Sequence, residues 1–198
     1  MKRHAPATER NREAIGDVLA GLLSSDGSMA LEIASGTGEH VTAFARRFPR
    51  VTWQPSDPDP EARASIAAWT EAEQIPNIFP PLDLDAASAD WPIEWADAIV
   101  CINMVHISPW EATVGLMRNA ERLLSANAPL LLYGPYLQQG VETAPSNLAF
   151  DADLRARNPA WGLRQLEDVV ALAADHGLVH DTLHPMPSNN LMIVLRRR

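Results

Sequence analysis

Cysteine is almost missing from this sequence. Cys101 is the one cysteine in 198 residues, so no intrachain disulfide and no cysteine-rich metal site is expected. No apolar run reaches membrane-spanning length, and the first residues lack the apolar core of a signal peptide. Positive charge is scarce too: 16 Lys and Arg stand against 25 Asp and Glu, a net charge of −9. That balance disfavours a non-specific nucleic-acid surface, and Arg196, Arg197 and Arg198 read as a solvated tail. Internal repeats and low-complexity segments are absent as well. The expectation is a cytoplasmic protein without membrane or nucleic-acid partners, either a monomer or a homodimer. At 46% hydrophobic residues the chain can bury a sizeable core as one domain over 1–198.

What is present begins with "LEIASGTGEH", Leu31 to His40. A short apolar strand runs into Gly36 and Gly38, and Val41, Phe44, Ala45 and Phe48 then recur at helical spacing. Strand, glycine turn and helix open a nucleotide-type α/β site. Two familiar versions are excluded by missing residues. A phosphate-cradling loop needs Lys followed by Ser or Thr after its second glycine, where Glu39 and His40 stand. A dinucleotide fingerprint needs a small third residue, where β-branched Val41 stands. The acid Glu32, three residues ahead of Ser35, suits a ligand with positive charge and no phosphate; S-adenosylmethionine, with its ammonium and sulfonium, is one. A tight turn without ligand also fits the loop taken alone.

The remaining pattern alternates. Ala14, Ile15, Val18, Leu19, Leu22 and Leu23 form one face of a first helix that ends before "SSDG", with Arg10 and Asn11 ahead of it. Strands are expected at Val51 to Ser56, in "NIFPPLDLD", at Asp97 to Val105, in "APLLLYG", and in "LVHDTLHPM" and "NLMIVLRR". Helices are expected from Glu61 to Gln74, from Pro109 through Leu124, and from Leu166 to a stop at Gly177. Alternation implies parallel crossovers, and the last two strands, joined by "PSN", must be antiparallel. Residues 1–27 form an N-terminal cap. One long irregular stretch, 134–162, reads as a lid.

Ligands in such sheets sit beyond the carboxyl ends of the strands. There lie Glu32, Ser35, Gly36 and Gly38, then Asp57, nineteen residues past Gly38 at a ribose-binding spacing. Asp83 follows beside Leu84, a carboxylate for an adenine amino group between leucines that sandwich the ring. Asn103, Met104 and His106 come after the fourth strand, Tyr133 and Tyr136 after the fifth. Each has a plainer reading: Asp is a common turn former, and His106 and Tyr133 can be packing residues. The joint pattern favours an adenosine ligand.

This order of elements resembles the class I S-adenosylmethionine-dependent methyltransferases: an α/β, Rossmann-like sheet of seven strands, mostly parallel with an antiparallel final strand, and helices on both faces. More narrowly the chain resembles the small methyltransferase-like protein 26 family, a domain-of-unknown-function family. "PATERNREAI", "LEIASGTGEH", "WQPSDPD", "INMVHISPWEAT", "LLYGPY", "SNLAFDADLRARNPAWGLR" and "MPSNNLMIV" carry that likeness. Arg12 stands where a lysine is expected, which conserves charge. The resemblance implies Glu32 and Gly36 near the methionine part of the cofactor, Asp57 at ribose, Asp83 at adenine, and Asn103 under the ammonium.

The expected activity is in-line methyl transfer to a small-molecule acceptor through N, O or S. His106 is the expected base, with an ordinary pKa suited to neutral pH. Tyr133 and Tyr136 would orient the acceptor. Asn147, Phe150 and Trp161 of the lid would wall it in, and Arg10 and Asn11 would fold over the cofactor. No metal is expected. The rivals are a binding protein that transfers nothing and a nicotinamide-dependent oxidoreductase, which Val41 disfavours.

Overall fold

A computed structural model describes residues 1–23 and 27–198. Its main sheet has six strands in the order β2-β1-β3-β4-β8-β7. β1 (Met29–Ile33), β2 (Thr52–Pro55), β3 (Ala98–Ile102) and β4 (Pro129–Gly134) are parallel; β8 (Asn190–Arg197) runs antiparallel between β4 and β7 (Leu178–Met186). The short link at 187–189 is a 3₁₀ turn that holds Ser188 and Asn189 at positive φ, +60° and +57°.

Alternate strand residues fill two cores. Leu31, Ile33, Ile99, Leu130, Leu132, Ile193 and Leu195 pack against α4 (Trp110–Leu123) and α6 (Leu166–Asp175). Ala30, Val100, Leu131, Met192 and Val194 pack against α1 (Pro6–Ala20), α2 (Glu39–Arg47) and α3 (Pro60–Glu73). Leucine or isoleucine removed from water this completely contributes about 1.5–3 kcal/mol each, which sets the register of every central strand. Caps follow local chemistry: Asp59 accepts from the Glu61 N–H ahead of Pro60 at α3, and Gly177 turns the chain after α6 at φ +64°.

Three expectations need correction. The sheet has six strands, not seven: in "NIFPPLDLD" only Ile78 and Leu82 form bridges, to Trp53 of β2 and to Ser56 just past it. Pro80 and Pro81 have no N–H, so a continuous ladder cannot form there. The first helix begins at Pro6, so Arg10 and Asn11 lie inside it, and it ends at Ala20; part of the "SSDG" expected as its stop lies outside the described residues. Residues 134–162 are not irregular. They hold β5 (Tyr136–Leu137), which pairs with β6 (Arg164–Gln165), and α5 (Pro145–Arg157). Of α5 only Asn147 and Leu154 are buried, while Leu148 and Phe150 are exposed, so it shows no apolar period.

Candidate functional site

The parallel strands end in a common cleft. Chain order reverses between β1 and β3, since β2 flanks β1 on one side and β4 flanks β3 on the other. Crossovers leave to opposite faces at such a point and open a crevice at the strands' carboxyl ends. Here it has two halves. One, about 590 Å³, is lined by Ile33 and Ala34 after β1, Asp57 after β2, Leu84, Asp85 and Ala86, and Met104 and Ile107 after β3, with Glu111 and Trp161 at its edge. The other, about 710 Å³, is lined by Arg10 and Asn11 of α1, Asn103, His106, Tyr133, Asn147 and Phe150 of α5, and the 187–190 turn. Ile107 borders both.

The glycine loop follows Ala34, which lines the first half, and leads into α2. Gly36 sits at φ +57°, and a Cβ there would meet nothing nearer than the Ala34 carbonyl at 4.0 Å, so the loop leaves open space above it. Its N–H donates to Asp57 Oδ2 at 2.9 Å. Gly38, at φ +87°, is required for packing: a Cβ would lie 2.8 Å from Ile66 Cα. Ser35 is buried in the loop's frame, donating to the Glu32 carbonyl and accepting from the Ser56 N–H. Glu32 is itself buried, and its Oε2 has no partner. Burial, opposed by Ser35 and reinforced by Asp57, pushes its carboxyl up to about 8. An orphaned buried carboxyl beneath an open loop fits a cationic ligand group.

Matching the chain to known proteins adds two findings. A family model described as "Protein of unknown function (DUF938)" matches residues 2–197. The chain belongs to that family. Solved structures share the fold of this DUF938 protein. An O-methyltransferase family protein from Burkholderia thailandensis superposes with a TM-score of 0.79 at 17% identity, covering 93% of this chain and 55% of the other. The mitomycin 7-O-methyltransferase MmcR gives 0.79 at 18%, covering 94% and 54%. CalO1, a methyltransferase in calicheamicin biosynthesis in its SAH-bound form, gives 0.74 at 17%, covering 93% and 54%. The DUF938 chain thus spans about half the length of these structures. At such identities the likeness is one of fold alone.

Within this DUF938 cleft the expected residues separate. Asn103, His106, Tyr133, Asn147, Phe150, Arg10 and Asn11 are brought together. Asn103 holds φ +61°, with its N–H on the Tyr133 carbonyl at 2.8 Å. Asn11 bonds His40 Nε2 at 2.8 Å and, with Arg10, lies beside the Tyr133 hydroxyl. His106 is 4% exposed and stands edge-on to Phe150, with ring centroids 5.6 Å apart. Its imidazole does not keep an ordinary pKa: burial, with Arg164 adding, lowers it to about 4. Arg164 reaches the Ser108 and Ala160 carbonyls at 2.9 and 2.8 Å, tying the His106 loop to the 158–164 segment.

Three residues fall elsewhere. Tyr136 does not join Tyr133. It follows Pro135 out of the sheet onto β5, in the opposite core, and its hydroxyl is buried and unpartnered. Trp161 lines the Asp57 half rather than the Asn147 and Phe150 half. Asp83 is exposed and paired with Arg63 at 3.0 Å, while Leu84 and Asp85 face the cavity. Sequence reading missed Asp85, Asn189 and Asn190. For Asn189 the signal was "SNN", since Asn tolerates a left-handed turn.

Proposed function

We propose that this chain is an S-adenosylmethionine-dependent methyltransferase for a small-molecule acceptor, with residues 1–198 as one unit whose cap and 134–162 segment close the acceptor side. One observation carries the reading: a two-part cleft at the strand-order reversal, an apolar slot beside Asp57 and a separate polar chamber, with an orphaned Glu32 carboxyl buried on β1, the strand that ends there. When bound, the cofactor supplies an electrophilic methyl group on sulfonium.

The chain's own residues do the rest. Leu84, Met104 and Ala34 form an apolar slot for a ring, and Asp57 offers a carboxylate to vicinal hydroxyls. Glu32 faces the ammonium end, with the Asn103 turn opposite. Across the divide, Asn103, Tyr133 and Asn147 orient the acceptor, and Phe150 and Ile107 exclude water. His106, neutral above about pH 4, holds the acceptor's proton by a hydrogen bond and takes it as the methyl bond forms. Positioning and desolvation carry the rate.

Calorimetric titration with S-adenosylhomocysteine is the test. One site, weakened about 10- to 100-fold by Asp57→Ala, is expected from the loss of charge-assisted hydrogen bonds. Stabilisation by NADH but not by S-adenosylhomocysteine would refute the reading.

A further inference from the structure

The two halves of the cleft differ in charge. Asp57, Asp85 and Glu111 border the first half, which has no basic side chain in its lining. The second half has no Asp or Glu in its lining; Arg10 is its one permanently charged side chain. In a chain of net charge −9 this is a local inversion. Arg10 is exposed on α1 and has no carboxylate partner among the described residues, whereas its helix neighbour Arg12 lies 3.6 Å from Glu13. His106 adds no charge at neutral pH, because burial lowers it to about 4. The other polar groups are amides and hydroxyls, Asn11, Asn103, Asn147 and Tyr133 among them.

The helix that carries Arg10 is held in place. α1 is fixed at its start by the Ala5 N–H on Glu39 at 2.6 Å and one residue past Arg10 by Asn11 on His40. An unpaired guanidinium lining an acid-free chamber is matched to a planar anion, which it grips through two parallel hydrogen bonds. A cationic acceptor would meet repulsion there and no counter-charge.

We infer that the methyl acceptor is a small organic carboxylate with a ring-sized apolar body, its carboxylate on Arg10 and its ring against Phe150 and Ile107. This rests on the methyltransferase reading above. The cleft then sorts its ligands by charge, since a cationic donor and an anionic acceptor each find the half of opposite sign.

The experiment titrates wild-type protein, saturated with S-adenosylhomocysteine, with 4-hydroxybenzoate, 4-hydroxybenzamide and tyramine. These share a ring and differ in charge. The carboxylate is expected to bind at least about 10-fold more tightly than the amide, and tyramine more weakly than both. Arg10→Gln should remove about 10- to 100-fold of carboxylate affinity, and Arg10→Lys should restore part of it. Affinity for S-adenosylhomocysteine should stay within about 2-fold in both variants. Equal binding of the three probes by wild type would overturn the inference. So would an Arg10→Gln variant that loses S-adenosylhomocysteine affinity while keeping the probe preference, which would put Arg10 on the donor's own carboxylate. Failure of wild type to bind S-adenosylhomocysteine at all would instead overturn the methyltransferase reading on which the inference stands.

Discussion

Glu32→Gln is expected to stabilise the ligand-free protein while weakening its binding of S-adenosylmethionine. In the folded chain the carboxyl is buried, with one oxygen unpartnered, and its pKa rises from 4.5 to about 8. Because the folded value lies above the unfolded one, the contribution of Glu32 to stability is intact below about pH 4.5. It is lost progressively as pH rises towards 8. At about 1.4 kcal/mol per pH unit, the loss is roughly 3 kcal/mol at pH 7 and roughly 5 kcal/mol above pH 8. Glutamine does not titrate, so the variant escapes this loss. It adds a buried amide with poor partners, which returns about 1–3 kcal/mol. The net at pH 8 is about 2 kcal/mol or more, a rise of roughly 4–8 °C in melting temperature for a chain of this size. At pH 4.5 the variant should be no more stable than wild type. Thermal melts from pH 4.5 to 8.5 measure the difference directly. Titration with S-adenosylmethionine at pH 7, in buffers of differing ionisation enthalpy, should show close to one proton released by wild type and none by the variant. A stability difference that does not grow with pH would refute the assignment of Glu32 as a strained, proton-holding acid.

Other changes separate packing from binding. Gly38→Ala should lower the melting temperature by several degrees, because its Cβ would strike Ile66 and φ is +87°; Gly36→Ala should cost about 1–2 kcal/mol from its left-handed backbone alone but lose most cofactor affinity by calorimetry. Gly115→Ala, whose Cβ would lie 2.1 Å from the Ala86 carbonyl, should displace the Leu84 to Ala87 wall and weaken S-adenosylhomocysteine binding from outside the cavity. His106→Asn should leave that affinity unchanged and slow turnover on a carboxylate acceptor by about 100-fold. The wild-type rate should show no histidine limb between pH 5 and 8, since His106 titrates near 4; an acid limb near 6.5 would contradict the buried, neutral imidazole.

The sequence conveyed the frame because strands buried on both faces and short links leave little choice. "DAIVCINMV" contains β3, and a three-residue link at Pro187–Asn189 forces β7 and β8 antiparallel. It conveyed less where backbone pairing outranks composition. "NIFPPLDLD" has strand-like residues, but two prolines reduce it to bridges, and Asp85, past the bridges, meets the cavity while Asp83 turns out to Arg63. α5 was hidden because a helix that walls a chamber buries Asn147 rather than an apolar stripe. Tyr133 and Tyr136, three residues apart, look like partners; the exit from β4 at Gly134 sends them into different cores. The depressed pKa of His106 depends on burial and on Arg164, 58 residues away, so no local spacing announces it.

The two rims of the main sheet have a consequence for self-association. Beyond β2 the chain offers Pro80 and Pro81, which have no N–H to give. At the far rim β7 is broken by a bulge between His180 and Thr182, where Asp181 is tied to Arg196 at 2.7 Å, and Pro185 follows. Neither rim therefore presents an unbroken row of donors and acceptors on which another strand could template. Sheet extension from copy to copy, the first step towards cross-β aggregation, is disfavoured at both ends.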